Sequence, residues 1–132
     1  MMINISNQPS DRWSEAQRAA ARELFSNREI CSYYPVFFIE DWEFPNVSPH
    51  ATEKEVAELV DKYYQRILAL DFWPRAIHVM GGEMDFTFSL VSRLSEAGYR
   101  VVASTTELEV VEHEGVKTYR HRFVRFRDYV RW

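Results

Sequence analysis

The stretch Ala76–Val91, AIHVMGGEMDFTFSLV, limits the fold more than any other part of the chain. Ala76–Met80 is short and apolar apart from His78, the pattern of a buried strand. Gly81-Gly82 turns the chain, and an amphipathic segment follows at once. From Asp85 to Ala97 it reads as a helix with Leu90, Val91 and Leu94 inward, and Gly98 suits the C′ position after it. A strand that feeds a helix through a tight glycine turn points to an α/β architecture.

The rest of the chain follows the same alternation. Met1–Ser6 reads as a first strand carrying Ile3 and Ile5, and Asn7-Gln8-Pro9-Ser10 breaks it. Ser14-Glu15-Ala16-Gln17 has the form of a capping box, so a helix is expected to about Phe25. Glu29–Val47 is aromatic and contains Pro35. A strand is expected between Val36 and Phe44, with an irregular lead-in around Tyr33-Tyr34-Pro35. Thr52-Glu53-Lys54-Glu55 is a second capping box, and Val56, Leu59, Val60, Tyr63 and Ile67 recur at helical spacing to about Leu70.

Beyond Gly98, Arg100–Ser104 is expected as one strand. Glu107–Glu112 and Val116–Phe126 are expected as two more, joined at His113-Glu114-Gly115. The alternation of character within Val116–Phe126 changes midway, which predicts a bulge or a change of environment. The expected order is β-α-β-α-β-α-β-β-β. This is a Rossmann-like, mostly parallel sheet flanked by helices, with a C-terminal β-hairpin extending one edge. The 132 residues are expected to form one domain, residues 1–132.

Composition narrows the function classes. Cys31 is the single cysteine, so no internal disulfide and no cysteine-based zinc site is expected, which fits a reducing cytoplasm. No signal-peptide pattern opens the chain, and no apolar run reaches the roughly 18–20 residues of a membrane span, so a cytoplasmic protein without a membrane partner is expected. The formal charge is −4, which argues against long nucleic acids as partners. Tyr119–Trp132 nevertheless holds five arginines against Asp128, a net of +5 − 1 = +4, while the rest holds 11 basic and 19 acidic residues, a net of −8. A local basic surface on an acidic body suits a small anionic ligand; the alternative is a solvated edge strand whose arginines oppose aggregation.

In an open α/β sheet, ligands bind outside the carboxyl ends of the strands. Here those ends are expected at Ser6-Asn7-Gln8, Phe44-Pro45-Asn46, Met80-Gly81-Gly82-Glu83 and Ser104-Thr105-Thr106. They offer backbone N–H groups, hydroxyls and amides, and the helix near Asp85 adds its positive end. Each piece also has a structural reading: the glycines for a left-handed turn, Asn7 for a turn cap, Glu83 and Asp85 for the helix dipole.

Known motifs narrow the field further. Neither GxxxxGK[ST] nor GxGxxG occurs, so a P-loop NTPase or an ordinary dinucleotide enzyme is not expected. His50, His78, His113 and His121 lack zinc spacing, and no metal or cofactor is expected. His78 reads as a hydrogen-bonded core histidine, Cys31 has no activating partner, and nothing marks a nucleophile elbow.

The segments INISNQPS with WSEAQ, FPNVSPHAT, HVMGGEMDFTFSLV, VVASTTE and FVRFRDY resemble parts of the small ancillary proteins linked to type III CRISPR systems. Their layout resembles a stand-alone CARF (CRISPR-associated Rossmann) domain. The resemblance covers most of the chain and is weakest over Glu29–Glu43, which is longer and more aromatic. It implies a homodimer that binds a cyclic oligoadenylate across its two-fold axis, most often cyclic tetra-adenylate, with a higher assembly on ligand binding left open. Such proteins dampen antiviral signalling by holding the ring or by cutting it. Carried onto this chain, the ligand residues are Ser6, Asn7, Gln8, Asn46, Gly81, Gly82, Glu83, Ser104, Thr105 and Thr106. Trp13 either closes over a base or packs at the helix start.

Two functions follow. In the first, the protein sequesters cyclic tetra-adenylate. In the second it is a metal-independent ring nuclease, in which a ribose 2′-OH attacks the adjacent phosphate in line. Among the polar segments Glu83 is the only ionisable group, hence the candidate catalytic residue, and binding is the preferred reading. A third reading is a domain that docks another protein through Phe37, Phe38, Trp42, Phe126, Tyr129 and Trp132.

Overall fold

β1 (Met2–Ser6) is buried at every residue, as befits a strand covered on both faces. The computed structural model describes residues 1–26 and 37–132, and places β1 inside a five-stranded sheet of order β2-β1-β3-β4-β5. The other strands are β2 (Ile39–Glu43), β3 (Ala76–Met80), β4 (Val101–His113) and β5 (Val116–Asp128). β1 pairs in parallel with β2 and β3, β3 pairs in parallel with β4, and β5 runs antiparallel to β4. The expected Rossmann-like arrangement is therefore present, with the hairpin at its edge. The irregular lead-in expected around Tyr33-Tyr34-Pro35 lies outside the described residues.

Local signals set the helices. Ser14 caps α1 (Glu15–Ser26): its Oγ accepts from Gln17 N at 3.1 Å. Thr52 caps α2 (Glu53–Leu68) in the same way, accepting from Glu55 N at 3.2 Å. α3 (Met84–Glu96) ends in a Schellman motif: Tyr99 N donates to Leu94 O and Gly98 N to Ser95 O, with Gly98 at φ +95°.

The two faces of the sheet carry separate cores. On one face Ile3, Ile5, Ile77, Val79 and Val101 pack against Val56, Val60 and Ile67 of α2 and Phe86, Leu90 and Leu94 of α3. On the other, Met2, Val102 and Phe126 pack against Trp13 and Ala21 beside α1. Each fully buried large side chain contributes about 1.5–3 kcal/mol of transfer free energy, so the α2/α3 face carries most of the apolar stabilisation.

The C-terminal region departs from the expected pattern. Arg100–Ser104 and Glu107–Glu112 are not two strands with a break between them. They are one continuous β4, because the ladder to β5 runs unbroken in direction from Val102↔Asp128 to His113↔Val116. The β-branched Thr105 and Thr106 sustain the extended backbone. The change of alternation is absorbed by a bulge: Thr105 faces Arg125 while Thr106 faces Phe123, leaving Val124 extra. Glu114 (φ +51°) and Gly115 (φ +77°) close the hairpin in the two-residue form that requires positive φ at both positions.

Only the first residues of β4 pair with β3, at Ile77↔Val101 and His78↔Val102. The distal part of β4 and the facing part of β5 therefore project past the carboxyl edge of the parallel strands as a two-stranded arm. From Ser104 to His113 the arm extends about 30 Å, at roughly 3.3 Å per residue. No helix among the described residues is long and apolar enough to cross a membrane.

Candidate functional site at the carboxyl edge of the sheet

The connection from β1 leads through α1 to one side of the sheet, and β3 lies on the other side of β1. The chain thus reverses its winding between β1 and β3. At such a switch point the loops leaving adjacent strands diverge and leave a crevice. Ser6 pairs with Met80 in register, so the Ser6-Asn7-Gln8 and Gly81-Gly82-Glu83 segments leave the sheet side by side.

A polar row crosses the sheet just beneath this crevice. Asp41, Asn4 and His78 are in register on β2, β1 and β3. Asn4 Nδ2 donates to Asp41 Oδ1 at 2.8 Å and to the Gln8 carbonyl at 2.9 Å. His78 Nδ1 lies 2.8 Å from Asn4 Oδ1, and its Nε2 lies 3.2 Å from Ser104 Oγ on β4. Asp41 also accepts from Ser10, at the backbone N (3.0 Å) and at Oγ (2.8 Å), which ties the first loop to β2. Asn4 and His78 are 1% and 2% exposed, and burial pushes the His78 imidazole down to about 4. His78 is thus a hydrogen-bonded core histidine, as its apolar strand suggests, and it is neutral at ordinary pH.

The sequence-predicted residues fall into three groups. Ser6, Gln8, Gly81, Gly82, Glu83 and Ser104 come together around the switch point. Ser6 Oγ donates to Asn4 Oδ1 at 2.8 Å, and the Gln8 carbonyl gathers Asn4 Nδ2 and Trp13 Nε1. Asn7 and Asn46 are exposed, Asn7 in the loop after β1 and Asn46 beyond the end of β2. Thr105 and Thr106 stand apart. Ser104-Thr105-Thr106 is not a strand end but the middle of β4, where Thr105 Oγ1 donates to Arg125 O and Thr106 Oγ1 lies 3.3 Å from His121 Nδ1.

Two further expectations are corrected at the turn itself. Neither Gly81 nor Gly82 has positive φ; among the glycines that conformation belongs to Gly98 and Gly115. The glycines therefore do not serve a left-handed turn. The N-terminus of α3 is not open to an anion either. Glu83 is its cap, and its carboxylate accepts from Phe86 N at 2.6 Å while its carbonyl accepts from Thr87 Oγ1. A carboxylate already satisfies that N–H, and its charge opposes a phosphate at the same place.

Trp13 takes the packing role. It is 4% exposed, edge-on to His78 at 5.5 Å and tilted against Phe126 at 5.7 Å. Trp42 and Phe126, expected on a docking surface, are core residues, whereas Trp132 is fully exposed. Among the described residues two of the tail arginines pair with carboxylates of β4, Arg120 with Glu109 and Arg122 with Glu107 and Glu109, while Arg125 and Arg131 donate to the carbonyls of Phe126 and Tyr99. Part of the arginine surplus seen in the linear sequence is thus a cross-strand ladder with carboxylates of β4, which weakens its pull on a free anion.

Asn4 and Asp41 escaped the sequence reading. A single amide inside the apolar run MINIS was the available signal, but its partner His78 lies 74 residues away and only the strand register joins them. Separately, Ser10, Asp11, Arg18, Arg22, Phe37, Phe38 and Ile39 line an open cleft of about 340 Å³ between α1 and β2. Its guanidinium groups are engaged, Arg18 on the Asp11 carbonyl and Arg22 on Glu15.

Exposed apolar residues flank the crevice. Met84 and Phe88 stand open on α3, and Met80 stands open at the end of β3 beside Ser104. Leu108, Val110 and Tyr119 stand open on one face of the arm, where Val110 pairs across to Tyr119. Comparison with curated proteins and with solved structures gives no match to this chain. Residues 1–127 match the family model described as the Uncharacterized protein MJ1673 family, and the chain belongs to that family.

Proposed function

We propose that the carboxyl edge of the sheet binds a cyclic oligoadenylate, cyclic tetra-adenylate in the first instance, between two copies of the chain, and that the protein holds the ring rather than cutting it. The observation that carries the reading is the convergence of Ser6–Gln8, Gly81–Glu83 and Ser104 on the β1/β3 switch point, the position where this topology takes ligands. The resemblance to CARF domains supplies the ligand class. The exposed apolar residues on both sides of the crevice support a second copy as the partner, since an isologous dimer suits a two-fold ring. In this role the protein lowers the free messenger concentration and dampens type III CRISPR signalling.

Holding is preferred to cutting on the state of the ionisable groups. In-line attack by a 2′-OH gains from a base or a cation at the reacting phosphate. His78 is buried and poorly basic, and the Glu83 carboxylate is committed to Phe86 N. The ring-nuclease alternative therefore needs a catalytic group other than these two, for which the second copy is one source.

The test is to incubate the protein with radiolabelled cyclic tetra-adenylate, then run part of the sample on a native gel and part on a denaturing separation. A shifted, intact ring is expected. Linear di- or tetra-adenylate products would replace sequestration by cleavage. An unshifted, intact ring would remove the ligand assignment.

A further inference from the structure

The polar row beneath the crevice has a fixed hydrogen-bond polarity. Asn4 Nδ2 faces two acceptors, the Asp41 carboxylate and the Gln8 carbonyl. That orients the amide and turns Oδ1 toward His78 and Ser6. Oδ1 only accepts, so the His78 Nδ1 facing it at 2.8 Å carries the ring proton. A neutral imidazole protonated at Nδ1 has a bare lone pair at Nε2. The Ser104 hydroxyl, 3.2 Å away, then donates its one proton to Nε2. Met80 Sδ, 3.6 Å from the same hydroxyl, is the weaker acceptor.

With its proton directed inward, Ser104 Oγ has only lone pairs for the crevice. On the loops that leave β1 and β3 the Gln8 carbonyl and the Glu83 carboxylate are acceptors too, each already holding a donor of the chain. A phosphate oxygen, itself an acceptor, finds no donor at Ser104.

We propose that Ser104 is a specificity-determining acceptor for a ligand N–H or O–H donor, and that His78 and Asn4, on the neighbouring strands β3 and β1, are positioning residues that fix its polarity. This deepens the ring-binding reading and rests on it. On a cyclic oligoadenylate the donor is either the adenine 6-amino group or a ribose 2′-hydroxyl, and Ser104 discriminates by the presence of that donor. A site whose buried polar groups are already committed rejects an analogue that cannot complete the pattern.

Two measurements test this separately from ring binding itself. The first is the ¹⁵N shift pattern of His78 in the free protein at pH 6–7, which is expected to report a neutral ring protonated at Nδ1. An Nε2-protonated or charged ring overturns the proposal even when rings bind. The second compares cyclic tetra-adenylate with two analogues, a ring of purine riboside lacking the 6-amino group and a 2′-fluoro ring lacking the 2′ donor. One analogue is expected to bind about tenfold or more weakly, and which one identifies the source of the donor. Equal affinity of all three rings overturns the proposal.

Two variants complete the test. Ser104→Ala is expected to equalise the three rings. His78→Phe, which keeps an aromatic ring between Trp13 and Phe126, frees the Ser104 hydroxyl to rotate. It is expected to reduce the discrimination at least several-fold while Ser104 remains in place. Undiminished discrimination in His78→Phe removes the positioning role. If no ring binds while His78 keeps its Nδ1 proton, the ring-binding reading and the donor assignment that rests on it both fall.

Discussion

A Cβ placed on Gly81 would stand 2.1 Å from Cε2 of Phe44, so the phenyl ring of Phe44 occupies the space that any side chain at position 81 needs. Phe44 is itself buried and meets Phe86 of α3 edge-on at 5.3 Å. The loop after β2 and the turn after β3 are thus locked together by a ring lying against a bare Cα. This is why glycine stands at 81, and it holds the crevice walls in place.

Gly81→Ala is therefore expected to destabilise the fold by about 1–3 kcal/mol, the range for overpacking a filled site. Phe44 must leave Phe86 to make room. Urea unfolding of the variant beside Gly82→Ala checks this. Gly82 has open space around its Cβ position, and its alanine variant is expected to stay within about 0.5 kcal/mol of the parent.

The same open space makes Gly82 the cleanest probe of the ligand. Gly82→Glu is expected to fold with an unchanged melting temperature and to lose at least tenfold in ring affinity, because it puts a second carboxylate beside Glu83 at the mouth of the crevice. Unchanged affinity in a folded variant would move the ligand away from this turn.

The contrast between these two glycines marks how far the sequence can be read. The helices were legible because their signals are local: Ser14 and Thr52 cap where their boxes stand, and Gly98 ends α3. The switch-point loops followed from strand-helix alternation. What depends on register or distant contacts was hidden. Gly81 answers to Phe44, 37 positions earlier in the numbering. His78 answers to Asn4 and Ser104, and Arg120 and Arg122 of the tail answer to Glu109 and Glu107 across a hairpin. Thr105 and Thr106 read as a strand end because polar residues cluster there, yet their β-branched backbones continue β4.

Glu83 is expected to act on stability rather than on chemistry. Removing its cap with Glu83→Ala should cost about 1 kcal/mol, since Phe86 N then loses its partner at the start of α3. Glu83→Gln keeps a side-chain oxygen for that N–H and should cost less. Thermal unfolding of both variants checks the order, and a Glu83→Gln protein that loses ring turnover present in the parent would restore the catalytic assignment.

His78 sets an acid limit. Its ordinary value is 6.5, and burial lowers it to about 4 in the folded chain. Between those values the unfolded chain binds a proton that the folded chain excludes, so stability is full above pH 6.5 and falls as the pH drops toward 4. A shift of this size corresponds to about 3 kcal/mol lost by pH 4, with no further loss from this group below it. His78→Phe is expected to flatten the profile in that window. Asp128 acts in a different one: its hydrogen bond from Arg100 holds it below 3.8, so its contribution disappears only in stronger acid. Urea midpoints from pH 7 to pH 4 separate the two.

The arm supplies the last expectation. Its ladder of Glu107, Glu109, Arg120 and Arg122 occupies one face, while Leu108, Val110 and Tyr119 stand uncovered on the other. Sheets normally bury an apolar face, and a two-stranded ribbon alone in water is marginal. Edge-to-edge pairing of two β5 strands would set Arg120, Arg122, Arg125 and Arg127 of one copy against the same residues of the next, which opposes that mode. Face packing against a second copy covers the apolar residues without that repulsion. Leu108→Ser with Val110→Thr changes side chains that are 55% and 53% exposed, so the folded chain should lose little stability. Its dimer dissociation constant should rise at least tenfold in sedimentation velocity, with ring affinity falling in step. A variant that dimerises as the parent does would place the two-fold contact on Met84 and Phe88 instead, and the matching Phe88→Glu protein would then be the monomer.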